Sequence, residues 1–161
     1  MNARAYNQLV DTYADNVYRF ALKHLKNEMD AKDIVQSTYL KMWDKHESVE
    51  LAKGKSYLFT TAYHLILDFL KTGKRFQGEE AIIEVQNADN PSDFDLSETL
   101  NWALDKLPEI QKTVVLLRDY EGYSYDEIAE IAGISESQVK VYIFRARKTL
   151  KSILIEKELV V

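Results

Sequence analysis

The sequence predicts an all-α protein made of two small helical domains joined by an acidic linker, and three observations carry that reading. Apolar residues recur at intervals of three and four over most of the chain, and no strand-type alternation competes with them. Two capping boxes about eleven residues apart bracket a glycine near the C-terminal end, which is the spacing of a helix-turn-helix. Charge is also segregated. Of 21 basic and 26 acidic groups in 161 residues, positions 76–105 hold eight acidic groups and no basic one. The residues before that stretch carry twelve basic and nine acidic groups, and those after it nine of each. Gln86-Asn87-Ala88-Asp89-Asn90-Pro91-Ser92-Asp93 in the middle reads as loop, so the expected divisions are 1–77, a linker at 78–93, and 94–161.

The elements follow in order. Tyr6, Leu9, Val10, Tyr13, Val17, Phe20, Ala21 and Leu25 form one stripe, predicting an amphipathic helix over about 3–26. Asp30 is expected to cap a second helix, with Ala31, Ile34, Val35, Tyr39 and Met42 inward. A third is expected from about Ser56 to Lys71 on Leu58, Ala62, Leu65, Ile66 and Phe69. Three helices of this length close one modest core. The third carries Tyr57, Phe59, Tyr63 and Phe69, with Lys53 and Lys55 before it and Lys71, Lys74 and Arg75 at its end. Aromatics among cations suit single-stranded DNA, because bases stack on rings while cations meet phosphate. The competing reading is that aromatics at helical spacing are core, and Phe59 and Phe69 are assigned there.

In the last third, Ser124 is followed three residues later by Glu127, and Ser135 by Gln138, so each serine starts a helix. Gly133 is expected to end the first of these in a left-handed conformation, with Ile128, Ile131, Ile134 and Val139 supplying the apolar corner. On the second, Val139, Ile143, Ala146 and Leu150 make the inner stripe. From Ser137 to Lys151 there are five cations, Lys140, Arg145, Arg147, Lys148 and Lys151, and no acidic residue, which leaves a basic outer face. That is the electrostatic footprint of a DNA reader. The bland alternative is a solvated face in a helical bundle.

Composition excludes several other classes. With no cysteine, disulfides and thiolate metal sites are ruled out. His24, His46 and His64 are scattered and the five glycines form no phosphate loop, so no enzyme, cofactor or metal site is expected. Charged residues interrupt every apolar run, and no secretory leader is read at the front, so a cytoplasmic location is expected.

Asp30-Ala31-Lys32-Asp33-Ile34-Val35-Gln36 through Trp43, then Tyr57-Leu58-Phe59 through Leu70, then Leu107-Pro108-Glu109 and the helix-turn-helix with Arg145-Ala146-Arg147-Lys148, resemble the extracytoplasmic-function sigma factors of bacterial RNA polymerase. The likeness covers nearly the whole chain in order. It implies that 1–77 is sigma region 2, binding the polymerase clamp and melting the minus-ten element, and that 94–161 is region 4, reading the minus-thirty-five element. It further implies that Asp33, Gln36, Leu40 and Lys41 face polymerase, and that Lys53, Lys55, Tyr57, Tyr63, His64, Lys71, Lys74 and Arg75 meet the minus-ten element. Ser135, Glu136, Ser137, Lys140, Val141 and Phe144 would then lie against the minus-thirty-five element, with Arg145, Arg147 and Lys148 mostly on phosphate. Core RNA polymerase and promoter DNA are the implied partners, together with an anti-sigma factor, in this family often membrane-bound. Thr60, Tyr63 and His64 stand where the family often has arginine, arginine and asparagine, while Tyr142 occupies a frequently basic position and Phe144 replaces a common histidine. A sigma-like decoy that binds an anti-sigma factor without promoter activity is the runner-up, and a dimeric repressor the third reading.

Overall fold

The computed structural model describes residues 1–76 and 96–160, with side chains described for 1–72 and 97–156. The expected linker at 78–93 lies outside the described residues, as do the side chains of Lys74 and Arg75. Among the described residues there are seven α-helices and no strand, and the chain divides into two compact units, Met1–Glu79 and Glu80–Val161.

In the first unit, α1 (Ala3–Leu25) starts where Asn2 Oδ1 accepts from the Ala5 amide at 2.8 Å. It ends at Lys26, whose φ of 58° is left-handed although it is not glycine. The next helix, α2 (Glu28–Lys45), is capped three residues before the expected position. Asn27, not Asp30, does the capping, its side chain accepting from the Asp30 amide at 3.0 Å. Asp30 instead joins Glu28 in the first turn, where a carboxylate complements the positive end of the helix dipole. Two short 3-10 turns, His46–Ser48 and Leu51–Lys53, lead into α3 (Gly54–Phe76), longer at both ends than its apolar stripe predicts. Gly54 lets Leu9 come close, since a Cβ there would stand 2.9 Å from Leu9 Cδ2 and make the end of that side chain shift.

The three helices pack mutually. Val17, Phe20 and Ala21 from α1, Ala31, Ile34 and Met42 from α2, and Leu58, Phe59, Ala62 and Ile66 from α3 are buried together. Each large apolar side chain among them contributes about 1.5–3 kcal/mol. Phe59 is fully buried and meets Phe20 edge-on at 5.4 Å, so the core assignment holds for it. Phe69 is half-buried.

Among the described residues, the second unit has first α4 (Leu96–Leu104) and then α5 (Glu109–Val115), which opens after Pro108 at φ −54°, ψ 148°. The chain runs on through a wide π turn at Leu116–Tyr120, in which the Glu121 amide reaches back to the Leu116 carbonyl at 3.1 Å. Then come α6 (Tyr125–Ala132) and α7 (Glu136–Val160). Val114, Leu116, Leu117, Ile128, Ile131, Val139, Ile143 and Ala146 form the core. Lys112 is drawn into it as well, and its Nζ donates to Asp105 Oδ1 at 3.0 Å. The carboxylate offsets part of the hydration that a buried ammonium loses.

Candidate nucleic-acid interface

The helix-turn-helix is built as its residues dictate. The Glu127 amide donates to Ser124 Oγ at 3.4 Å while the Ser124 amide donates to Glu127 Oε1 at 3.1 Å. The Gln138 amide donates to Ser135 Oγ at 3.1 Å, and Gln138 Oε1 accepts from the Ser135 amide at 3.0 Å. Between the two boxes Gly133 adopts φ 71°, and its amide donates to the Ala129 carbonyl at 2.9 Å. No atom lies within 4 Å of where its Cβ would stand, so the glycine is needed for its backbone angle and not for space. The Ser124 hydroxyl lies 2.6 Å from Asp126 Oδ1. That hydrogen bond, helped by backbone amides, holds the Asp126 carboxyl below its ordinary value.

Burial of Val139, Ile143 and Ala146 turns the opposite side of α7 to solvent. Ser135, Glu136, Ser137, Lys140, Val141, Phe144, Arg145, Arg147 and Lys148 are all exposed there. Two residues that sequence reasoning did not single out complete this surface. The Arg118 guanidinium lies 4.4 Å from the Tyr125 ring centroid, and Lys140 Nζ lies 5.5 Å from the same ring, so Tyr125 gathers cations from α7 and from the π turn. Nothing in the spacing of Arg118 and Tyr125 announces this, because only the corner between α6 and α7 brings them to Lys140. Lys140 also approaches Glu136 at 3.8 Å, one helical turn away.

One of the residues expected on phosphate has a partner within the chain. Arg147 is tied back to Asp119, Nε to Oδ2 at 3.1 Å and Nη2 to Oδ1 at 2.5 Å, and this pairing raises the guanidinium pKa further. That two-point fork uses two of the five N–H donors of the guanidinium. Arg147 therefore braces α7 against the π turn while staying half-exposed beside Arg145 and Lys148.

In the first unit a correction concerns Tyr63. It is 5 % exposed and faces Phe20 and His24, with ring centroids 6.5 and 6.4 Å away. A ring in the core is not on offer to an unstacked base, so Tyr63 leaves the minus-ten set. Tyr57 and His64 lie on the outer side of α3, where with Thr61 they line one surface groove of about 410 Å³ together with Lys41, Asp44 and Lys45 of α2. Lys41, expected on the polymerase side, thus shares a groove with residues expected to meet DNA. Lys53 is exposed in the turn before α3, Lys71 is exposed near its far end, and Lys55 Nζ lies 5.4 Å from the Tyr13 ring.

Asp33, Gln36, Leu40 and Lys41 all lie on the solvent side of α2. Met29 at 76 %, Leu40 at 67 % and Trp43 at 42 % exposure make this face unusually apolar. Trp43 stacks in parallel on His46 at 4.0 Å and takes the edge of Tyr6 at 4.9 Å, which fixes the far end of the stripe. Large apolar side chains left in water along one helix face mark a surface made to be covered. Among the described residues, no helix is long and apolar enough to cross a membrane.

Comparison with known proteins agrees with this geometry. The sequence profile of Sigma-70 region 2 matches residues 9–76, and that of Sigma-70 region 4 matches residues 98–150. The chain is 33 % identical to RNA polymerase sigma factor SigV of Bacillus subtilis over 93 % of its own length and 91 % of that protein's. It is 28 % identical to the ECF RNA polymerase sigma factor SigM of the same organism, covering 91 % and 93 %. Among solved structures it is similar to the sigma factor RpoE of Bartonella quintana, in complex with the anti-sigma factor NepR, with a TM-score of 0.75, 25 % identity, and coverage of 92 % of this chain and 96 % of that one. It is also similar to CnrH in complex with the cytosolic domain of CnrY, with a TM-score of 0.72, 25 % identity, and coverage of 96 % and 90 %. The order of the two regions, the helix-turn-helix and these relatives lead to one assignment: the chain belongs to the extracytoplasmic-function sigma factors of bacterial RNA polymerase.

Proposed function

We propose that this promoter-recognising sigma factor divides its work between its two units, residue by residue, as follows. The outer face of α2, with Asp33, Gln36 and Leu40, docks on core RNA polymerase in the bacterial cytoplasm. The turn before α3 and its exposed flank, with Lys53, Lys55, Tyr57, His64 and Lys71, hold the minus-ten strand as it opens. The face of α7 from Ser135 to Lys148 reads the minus-thirty-five element, Lys140 and Glu136 near base edges and Arg145 and Lys148 on phosphate. The observation that carries this reading is the cation-rich outer face of α7, standing on a closed helix-turn-helix.

The energetics suit a shared task. Each unit offers few cations, so each alone binds DNA weakly and with strong salt dependence. Holding both on one large partner raises the effective concentration of the second contact without adding an interaction. Strand opening needs no catalytic group, because capturing flipped bases offsets a few kcal/mol of unstacking per base. RpoE and CnrH were each solved with a protein partner, in the case of RpoE an anti-sigma factor, which supports control of this chain by an inhibitor of that kind.

Reconstitution with core polymerase tests the division. Lys140→Ala and Arg145→Ala should weaken promoter binding and leave polymerase association intact, whereas Asp33→Ala and Gln36→Ala should weaken polymerase association itself, promoter binding falling only as its consequence. Equal loss at a single step in both sets would refute the assignment, and polymerase association without open-complex formation would favour the decoy.

A further inference from the structure

Two apolar side chains sit on a surface otherwise built for a polyanion. Val141 is 45 % exposed and Phe144 is 68 % exposed, one helical turn apart on α7. Lys140, Arg145 and Lys148, all exposed, stand around them. Phosphate binding makes no use of a phenyl ring or an isopropyl group, so the cations do not account for this pair. A docking site for an apolar protein surface fits poorly as well, because the cores of such interfaces are depleted in lysine. The partner must be anionic at its edges and offer small apolar groups within.

Duplex DNA meets both conditions at one kind of base pair. In the major groove, guanine, cytosine and adenine present hydrogen-bonding edges, which an apolar side chain would desolvate without replacing their partners. Thymine alone adds a methyl group. We propose that Val141 and Phe144 read thymine 5-methyl groups, so that the upstream promoter element carries thymine at one or two closely spaced positions. The inference rests on α7 being the recognition helix. Side chains one turn apart lie about 5–6 Å from each other. Base pairs rise by about 3.4 Å, so the two residues reach methyl groups within roughly two base steps. Withdrawing one methyl from water against an apolar side chain is worth about fourfold in affinity.

The test uses the full chain with core polymerase and a duplex pool randomised over the upstream element. The wild type should enrich thymine at one or two neighbouring positions, and Phe144→Ala should lose the preference at one of them. Replacing those thymines by deoxyuridine, which lacks only the methyl, should weaken wild-type binding about fourfold per position. Phe144→Ala should show no further loss at its own position, while Phe144→Leu, still apolar, should keep the discrimination. An enriched element without thymine, or uracil substitution that leaves wild-type binding unchanged, overturns the inference. So does a Phe144→Ala protein that associates poorly with polymerase yet still distinguishes thymine from uracil at every position, since Phe144 would then be a protein contact. If the wild type enriches no upstream sequence at all, the reading of α7 itself fails, a result distinct from enrichment of the wrong bases.

Discussion

Removing the positive charge of Arg147 is expected to leave DNA binding almost unchanged, which separates it from its neighbours on α7. Its guanidinium holds Asp119 through two hydrogen bonds, and the two side chains are 50 % and 38 % exposed. Half-exposed pairs are screened by solvent, so even this two-point geometry contributes only about 0.5–1 kcal/mol. In a unit of this size that corresponds to a drop of roughly 2–8 °C in melting temperature for Arg147→Ala. A cation that meets phosphate behaves differently, because each such contact adds about 0.9 to the slope of log affinity against log salt. Arg145→Ala should therefore flatten that slope by about 0.9 without lowering the melting temperature. Asp119→Asn, by releasing Arg147, should leave the slope unchanged or steepen it. Fluorescence anisotropy of a promoter duplex titrated with holoenzyme between about 50 and 200 mM salt, beside thermal melting of the chain, provides both readings. The reasoning is refuted if Arg147→Ala flattens the salt slope as much as Arg145→Ala while its melting temperature stays at the wild-type value.

Asp105→Asn should cost more than loss of the Arg147 pair, about 3 kcal/mol in urea unfolding, because Lys112 is buried and Asp105 is only 29 % exposed. A loss of less than about 1 kcal/mol would refute that cost. Gly133→Ala should cost about 1–2 kcal/mol from the left-handed backbone angle alone, with no steric addition since the space around it is open, and unchanged stability would mean that the turn relaxes. Ser124→Ala should move the Asp126 titration up toward its ordinary 3.8, as followed by NMR. In the wild type the depressed value means that the deprotonated form favours folding. That contribution is present above the unfolded value and disappears as pH falls through the folded one, so the stability gap between wild type and variant should narrow in acid. A gap that widens below pH 3.8 would reverse the sign.

The helices themselves were legible because their signals are local. Ser124 with Glu127, Gly133 with Ala129, and Ser135 with Gln138 each act within four residues along the chain, so spacing alone states the turn. Local signals also misled where two of them compete. Asn27 and Asp30 are both good caps, and the earlier one won because the acidic pair Glu28 and Asp30 gains from lying inside the first turn. The second arginine of Arg145-Ala146-Arg147-Lys148 looked like its neighbours, yet its partner Asp119 is 28 residues away, and no window on the sequence holds both. Tyr63 was ambiguous for a related reason. Periodicity places a ring on a stripe but does not say whether a neighbouring helix will close over it, and Phe20 and His24 of α1 do so. Arg118 and Tyr125 went unnoticed because their contact with Lys140 exists only at the packed corner.

Sequence by itself therefore determined what depends on neighbours along the chain: the all-helical character, the two helical parts with acid between them, the helix starts of the helix-turn-helix and the cationic bias of its second helix. Tertiary structure decided which of the candidate side chains are available to a partner. It withdrew Tyr63 into the core, bound Arg147 to Asp119, and left Phe144 and Val141 uncovered among cations. The reason is that burial and ion pairing are set by which surfaces meet in space. Helical periodicity encodes the inward direction of a side chain but not the identity of what it will find there.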